Sequence, residues 1–243
     1  MKIIICKDSN EASQKAANMI KKVINDNPKA ILGLATGSTP IETYKKLIEM
    51  NKKKEISFKD VKTVNLDEYI SLDETHPQSY RYFMNDNLFN HIDINISNTR
   101  VPKGMAKDIE KEAIDYEKYL NKLGGADIQV LGLGENGHIG FNEPGDSLNA
   151  VTHIEDLTLS TIKANKRFFQ SEKEVPKKAI TMGLGSILKA KKIILLAFGE
   201  KKAQAIASLK DNNITTKFPV TFLKLHPDVT VLVDNEAASL LNK

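Results

Sequence analysis

The chain has 243 residues, 41% of them hydrophobic and 27% charged, with a formal net charge of +4 and a single cysteine. This length supports one large domain with a full core, and the small, scattered positive balance argues against a nucleic-acid partner. Cys6 alone excludes an internal disulfide and a cysteine-built metal site. The five histidines show no HExxH spacing, so the sequence supports no metal. No apolar run approaches a membrane span, and the run after Met1 is too short for a secretory leader. A cytoplasmic protein is expected.

Apolar runs at Ile3–Cys6, Ala30–Ala35, Val61–Leu66, Ile128–Leu133, Ile193–Phe198 and Val229–Asp234 alternate with helix-like segments. Those segments are Glu11–Asn25, Ile41–Asn51, Gln78–Phe89, Asp108–Leu123 and Lys201–Leu209. The runs are almost unbroken in apolar content, as in a parallel sheet covered on both faces. The alternation predicts a doubly wound, Rossmann-like α/β fold with a mostly parallel sheet. A single domain over residues 1–243 is expected, with ligands at the carboxyl ends of the strands.

Motifs fall at those ends. After the second run comes Thr36-Gly37-Ser38-Thr39-Pro40, in which Thr39 suits an N-cap, Pro40 the first helical position and Glu42 a capping box. Free N–H groups and hydroxyls there make a phosphate cradle; an ordinary capped turn reads equally well. The third run ends in Asn65-Leu66-Asp67-Glu68-Tyr69. Alternation on an extended segment turns only one of the two carboxylates toward the crevice, where it is a candidate base. The segment from His76-Pro77 onward reads as a packing helix.

The fourth run opens into Gly132-Leu133-Gly134-Glu135-Asn136-Gly137-His138-Ile139-Gly140-Phe141-Asn142-Glu143-Pro144. Here glycines admit a sharp turn and a close ligand, His138 suits proton transfer near neutral pH, and Glu143 and Asn136 are placed to orient it. A glycine-rich turn with a helix-capping histidine is the plainer alternative. Further on, Arg167 beside two aromatics is either a surface arginine or a closing cation. Gly199-Glu200-Lys201-Lys202 opens a helix with lysines that oppose its dipole, which suits an anionic ligand.

In order along nearly the whole chain, ATGSTP, NLDEY, GENGHIGFNEP, NKRFF and the Gly199–Lys202 turn resemble the glucosamine-6-phosphate deaminase family. The resemblance implies a hydrolase that isomerises an aldose to a ketose and deaminates it, without metal or organic cofactor. Its partner would be glucosamine 6-phosphate and its products fructose 6-phosphate and ammonia, in amino-sugar catabolism. It implies His138 as the acid–base group that opens the pyranose ring, Glu143 as its orienting charge, Asn136 beside them, and Asp67 as the base for the C2 proton. Gly37, Ser38 and Thr39 would hold the phosphate, with Arg167 on a lid over residues 157–177 and Lys202 completing the clamp.

Some members carry Asp where this chain has Asn136, which keeps the hydrogen bonding and drops one negative charge near His138. Members activated by N-acetylglucosamine 6-phosphate place Arg, Lys and Thr where this chain has His153, Glu155 and Asp156. They also have a longer C-terminal segment than a chain ending at Lys243. An enzyme without that activation is therefore expected, as a monomer or homo-oligomer. Two other readings stand beside this one. A 6-phosphogluconolactonase is similar in fold and phosphate loop, but hydrolyses an ester without a carbon-acid base, and NLDEY and GFNEP argue against it. A sugar-phosphate-sensing domain of a transcription regulator would carry a helix-turn-helix, for which a sheet starting at residue 2 leaves no room.

Overall fold

Strand pairing in the computed structural model, which describes residues 1–241 apart from the side chains of Phe168 and Glu172, divides the chain between two sheets. The larger has seven strands in the order β1-β10-β9-β6-β2-β3-β5, every neighbouring pair parallel. Its members are β1 (Lys2–Ile5), β2 (Ile31–Leu34), β3 (Lys62–Asn65), β5 (Thr99–Arg100), β6 (Ile128–Gly132), β9 (Ile193–Ala197) and β10 (Val229–Val233). Every residue of β9 and β10 is buried, the reason those stretches read as unbroken apolar runs.

The helices are α1 (Ser9–Asp26), α2 (Ile41–Lys52), α3 (Tyr80–Asn87), α4 (Ile109–Leu123), α5 (Leu159–Asn165), α6 (Leu184–Ile187) and α7 (Ala203–Ala207). In α1, Asp8 accepts from the Glu11 N–H and Glu11 accepts from the Lys7 N–H, each at 2.8 Å. This reciprocal cap starts a helix whose Ala12, Ala16, Ile20 and Ile24 form one buried stripe.

All six expected strands belong to the seven-stranded sheet, and two departures matter. Thr39 does not cap α2. The cap position is Pro40, without a side-chain bond, and Glu42 pairs instead with Lys45 and Lys46, each at 3.5 Å. Beyond β10 the described residues, through Leu241, run in turns.

A second, antiparallel sheet was not anticipated: β4 (Asp67–Tyr69), β8 (Lys178–Thr181) and β7 (His153–Asp156), in the order β4-β8-β7. Leu66 joins the two sheets. Its N–H donates to Leu34 O in the first (3.3 Å), and its carbonyl accepts from Met182 N–H beside the second (2.7 Å). One residue later, Asp67 stands at the carboxyl edge of the large sheet and pairs in register with Thr181.

Candidate active site

Sheet order reverses between β2 and β6, because β3 and β5 extend one way and β9, β10 and β1 the other. Loops leaving such a switch point diverge and open a crevice. Here they are the loops after β2 and β6, and a cavity of about 630 Å³ lies over them. Gly37, Ser38, Thr39, Asp67, Asn136, His138, Arg167 and Lys202 all line it. Glu143 does not; it is buried behind His138. The sequence-predicted residues are thus brought together from five separated stretches.

The loop after β6 contains no helix, so His138 caps none. It is a tight turn: Gly137 N–H donates to Gly134 O and Gly134 N–H to His138 O, both at 3.0 Å. A Cβ on Gly134 would lie 2.4 Å from the imidazole, so the ring rests on bare backbone. Asn142 Nδ2 donates to Ile139 O and Met182 O, both at 2.8 Å, and ties the loop to the small sheet. Gly140, at φ 59°, lies where a Cβ would come within 3.5 Å of Asp67 Oδ2. A side chain at residue 140 would have its Cβ only 3.0 Å from Thr181 Oγ1 and would strain the left-handed backbone there, so glycine suits this position.

His138 Nδ1 lies 3.3 Å from Glu143 Oε2, an electrostatic contact without hydrogen-bond alignment. The same oxygen accepts from Asn136 Nδ2 at 2.8 Å, and Asn136 Oδ1 accepts from His138 N–H at 3.2 Å. The other oxygen, Oε1, accepts from the Thr161 hydroxyl. Burial pushes the Glu143 carboxyl up, but His138, Thr161 and Asn136 together hold it below the usual carboxylate range.

Asp67 and Glu68 divide as alternation requires. Glu68 turns away from the cavity and accepts from the N–H groups of Tyr80 (2.8 Å) and Arg81 (2.9 Å) at the start of α3. Burial first, then the neighbouring Glu68 charge, push the Asp67 carboxyl up to about 8. Burial also lifts Glu68 to about 7 against the backbone N–H groups that hold it down.

The cationic side lies across the loops after β2 and β9. Arg167 Nη2 donates to Ser38 Oγ at 3.4 Å. Burial, with the Arg167 charge adding to it, draws the Lys202 ammonium below its ordinary value. Two cations held in one cavity favour an anion between them. Among the described residues, no group of three or more His, Cys, Asp or Glu side chains is placed to hold a metal ion.

Several lining residues were given no role by the sequence reading, although some lie within its motifs. Tyr69 and Tyr80 (ring centroids 4.8 Å apart) form an aromatic wall with Phe141, which stacks on Tyr80 at 6.1 Å. Pro77 to Tyr80 lines the cavity, so the segment read as packing also contributes to the site. From the segment after β7, Ser160, Thr161, Lys163 and Asn165 face the cavity. Asn165 Nδ2 donates to the Tyr69 hydroxyl at 2.8 Å. Phe169 meets Tyr69 edge-on at 6.0 Å, which places one of Arg167's aromatic neighbours on this wall; the Phe168 side chain lies outside the described residues.

A doubly wound sheet whose switch-point cavity sets paired cations opposite a buried carboxylate and a His–Glu pair defines an α/β protein built around a small anionic ligand. The chain belongs to the glucosamine-6-phosphate isomerase/6-phosphogluconolactonase family, whose model matches residues 8–232. It is 57% identical over 241 residues to a glucosamine-6-phosphate deaminase of Clostridium beijerinckii, covering 99% of this chain and 100% of that one. It is 58% identical to one of Thermoanaerobacter pseudethanolicus, covering 99% and 95%. A solved structure described as a monomeric glucosamine-6-phosphate deaminase superposes with a TM-score of 0.96 at 49% identity, covering 99% of this chain and 100% of that one. A 6-phosphogluconolactonase from Trypanosoma cruzi, 21% identical with a TM-score of 0.77 over 100% and 97% of the two chains, shares the fold.

Proposed function

We propose that this protein is a glucosamine-6-phosphate deaminase, converting glucosamine 6-phosphate and water to fructose 6-phosphate and ammonia in amino-sugar catabolism. The observation that carries the reading is Asp67, a buried carboxylate in a cavity that Ser38, Arg167 and Lys202 also line. Ester hydrolysis needs no base for a carbon-bound proton; isomerisation does.

In this scheme the phosphate rests on Gly37, Ser38 and Thr39, and Arg167 and Lys202 complete the clamp. His138, oriented by Glu143 and Asn136, carries the ring-oxygen proton as the pyranose opens. Asp67 takes the C2 proton of the open-chain aldose and returns it at C1, so that the enolamine becomes a ketimine. Water adds at C2, ammonia leaves, and the ketose remains. The last step consumes the water, which makes the isomerising deaminase a hydrolase by its net reaction. The scheme calls on no metal or organic cofactor.

Residues 157–177 serve as the lid, carrying Arg167 over the phosphate. The cavity is lined by residues of this chain, and the protein acts as a monomer or homo-oligomer. Among the described residues no helix is long and apolar enough to cross a membrane, in keeping with work in the cytoplasm on a water-soluble sugar phosphate. The test is incubation with glucosamine 6-phosphate. Stoichiometric ammonia and fructose 6-phosphate are expected, and hydrolysis of 6-phosphogluconolactone with no ammonia would replace this reading.

A further inference from the structure

Glu143 is the one member of the acid–base group whose two oxygens answer to different parts of the chain. Oε2 faces His138 and Asn136 on its own loop. Oε1 accepts from Thr161, which is carried by α5 in the excursion between β7 and β8 of the small sheet. Thr161 is itself buried. Its N–H donates to Thr158 Oγ1 at 3.3 Å, and its hydroxyl accepts from Thr158 Oγ1 at 3.2 Å, which leaves its own proton directed at the carboxylate.

We propose that Thr161 is a positioning residue that fixes the Glu143 carboxylate, and through it His138, only while α5 is seated over the cavity. A carboxylate held by one loop alone is free to rotate about its last side-chain bond. A donor on each oxygen pins its plane. Seating α5 also sets Asn165 on Tyr69 and Arg167 beside Ser38, so one movement brings together the anion clamp and the oriented histidine. Proton transfer is thereby confined to the closed state. The charged groups facing Glu143 are His138 on its own loop and Glu155 on β7, whose charge opposes that of Glu143. Loss of the Thr161 donor leaves that repulsion less compensated.

The proposal rests on the deaminase reading for its kinetic consequence, and on geometry alone for its titration. Thr161→Val keeps the shape and β-branching while removing the hydroxyl; Thr161→Ser restores the hydroxyl. In protein labelled with 13C at glutamate carboxyls, Glu143 is identified by comparison with Glu143→Gln, and no substrate is needed. Its midpoint should rise by about one pH unit or more in Thr161→Val and stay at the parent value in Thr161→Ser. With glucosamine 6-phosphate, Thr161→Val should lose roughly tenfold or more in kcat with little change in KM, and its acid limb should move to higher pH. An unshifted Glu143 titration in folded Thr161→Val, or equal loss in Val and Ser variants, would overturn the proposal. A parent protein that releases no ammonia would sink the deaminase reading and leave the titration to decide this one.

Discussion

Asp67 and Glu68 are consecutive residues of a three-residue strand, yet their carboxylates do unlike work. Glu68 is spent on the backbone N–H groups of Tyr80 and Arg81 at the head of α3, while Asp67 is left in the cavity beside Gly140. The Glu68 charge helps keep Asp67 protonated at neutral pH. A base of this kind is activated by the positive charge of a bound ammonium group, which offsets both burial and the neighbouring carboxylate.

Asp67→Asn should bind glucosamine 6-phosphate and fail to exchange the C2 hydrogen with solvent deuterium. NMR of the recovered sugar decides this; exchange at the parent rate would remove Asp67 from the reaction.

The same residue links function to stability. Its folded pKa, about 8, lies above its unfolded value, so the native state holds the extra proton and stability falls as pH rises from about 4 to about 8. Asp67→Asn should therefore raise Tm, by more at pH 9 than at pH 5. Thermal unfolding at the two pH values measures the difference, and an equal gain at both would mean that Asp67 is not protonated in the folded protein.

Removing a cation from the clamp should cost about 1.5–3 kcal/mol, roughly tenfold to a hundredfold in kcat/KM. Lys202→Ala should lie at the upper end because Lys202 is more buried than Arg167, and Arg167→Ala should also lower kcat. Unphosphorylated glucosamine should be a very poor substrate for the parent. An Arg167→Ala enzyme with parental kcat/KM would return that residue to the surface.

Gly134→Ala should abolish ring opening while leaving the fold in place, since a methyl group there meets the His138 ring at 2.4 Å. A Gly134→Ala enzyme fully active on the pyranose would show that His138 has room to move.

Kinetics in glucosamine 6-phosphate should be hyperbolic and unaffected by N-acetylglucosamine 6-phosphate. On β7, His153 is engaged with Glu155 at 3.0 Å, and Asp156 pairs with Lys178 at 3.3 Å. A phosphate brought there meets two carboxylates. Saturation curves with and without that compound test this; a sigmoidal curve made hyperbolic would overturn it.

Six strands of the large sheet were legible as apolar runs, most plainly β9 and β10, which are buried throughout. The others were not. Strand β5 has two residues, and β4, β7 and β8 form a sheet in which β4 pairs with a segment more than a hundred residues away, as between Asp67 and Thr181. The period of two showed that only one of Asp67 and Glu68 faces the cavity; that it is Asp67 came with the family resemblance. Thr161 and Tyr80 could not be found that way, because their partners, Glu143 and Phe141, become neighbours only after folding. Thr39 was misread for a different reason: the local signal for a cap was present, but the turn carried the chain one residue further before the helix began.

The segment bearing α5 leaves β7 at Asp156 and enters β8 at Lys178, which are register partners, with Leu157 N–H donating to Lys177 O at 2.8 Å just beyond them. Its two ends are thus clasped together, and no strand of the seven-stranded sheet passes through it. Outside Thr161, Asn165, Arg167 and the apolar Leu157, Ile162 and Phe169, which hold the rest of the molecule, such an excursion can change in sequence while the ladder beneath keeps its register. Ligand range can then drift on the roof of the cavity without renegotiating how the rest of the molecule folds.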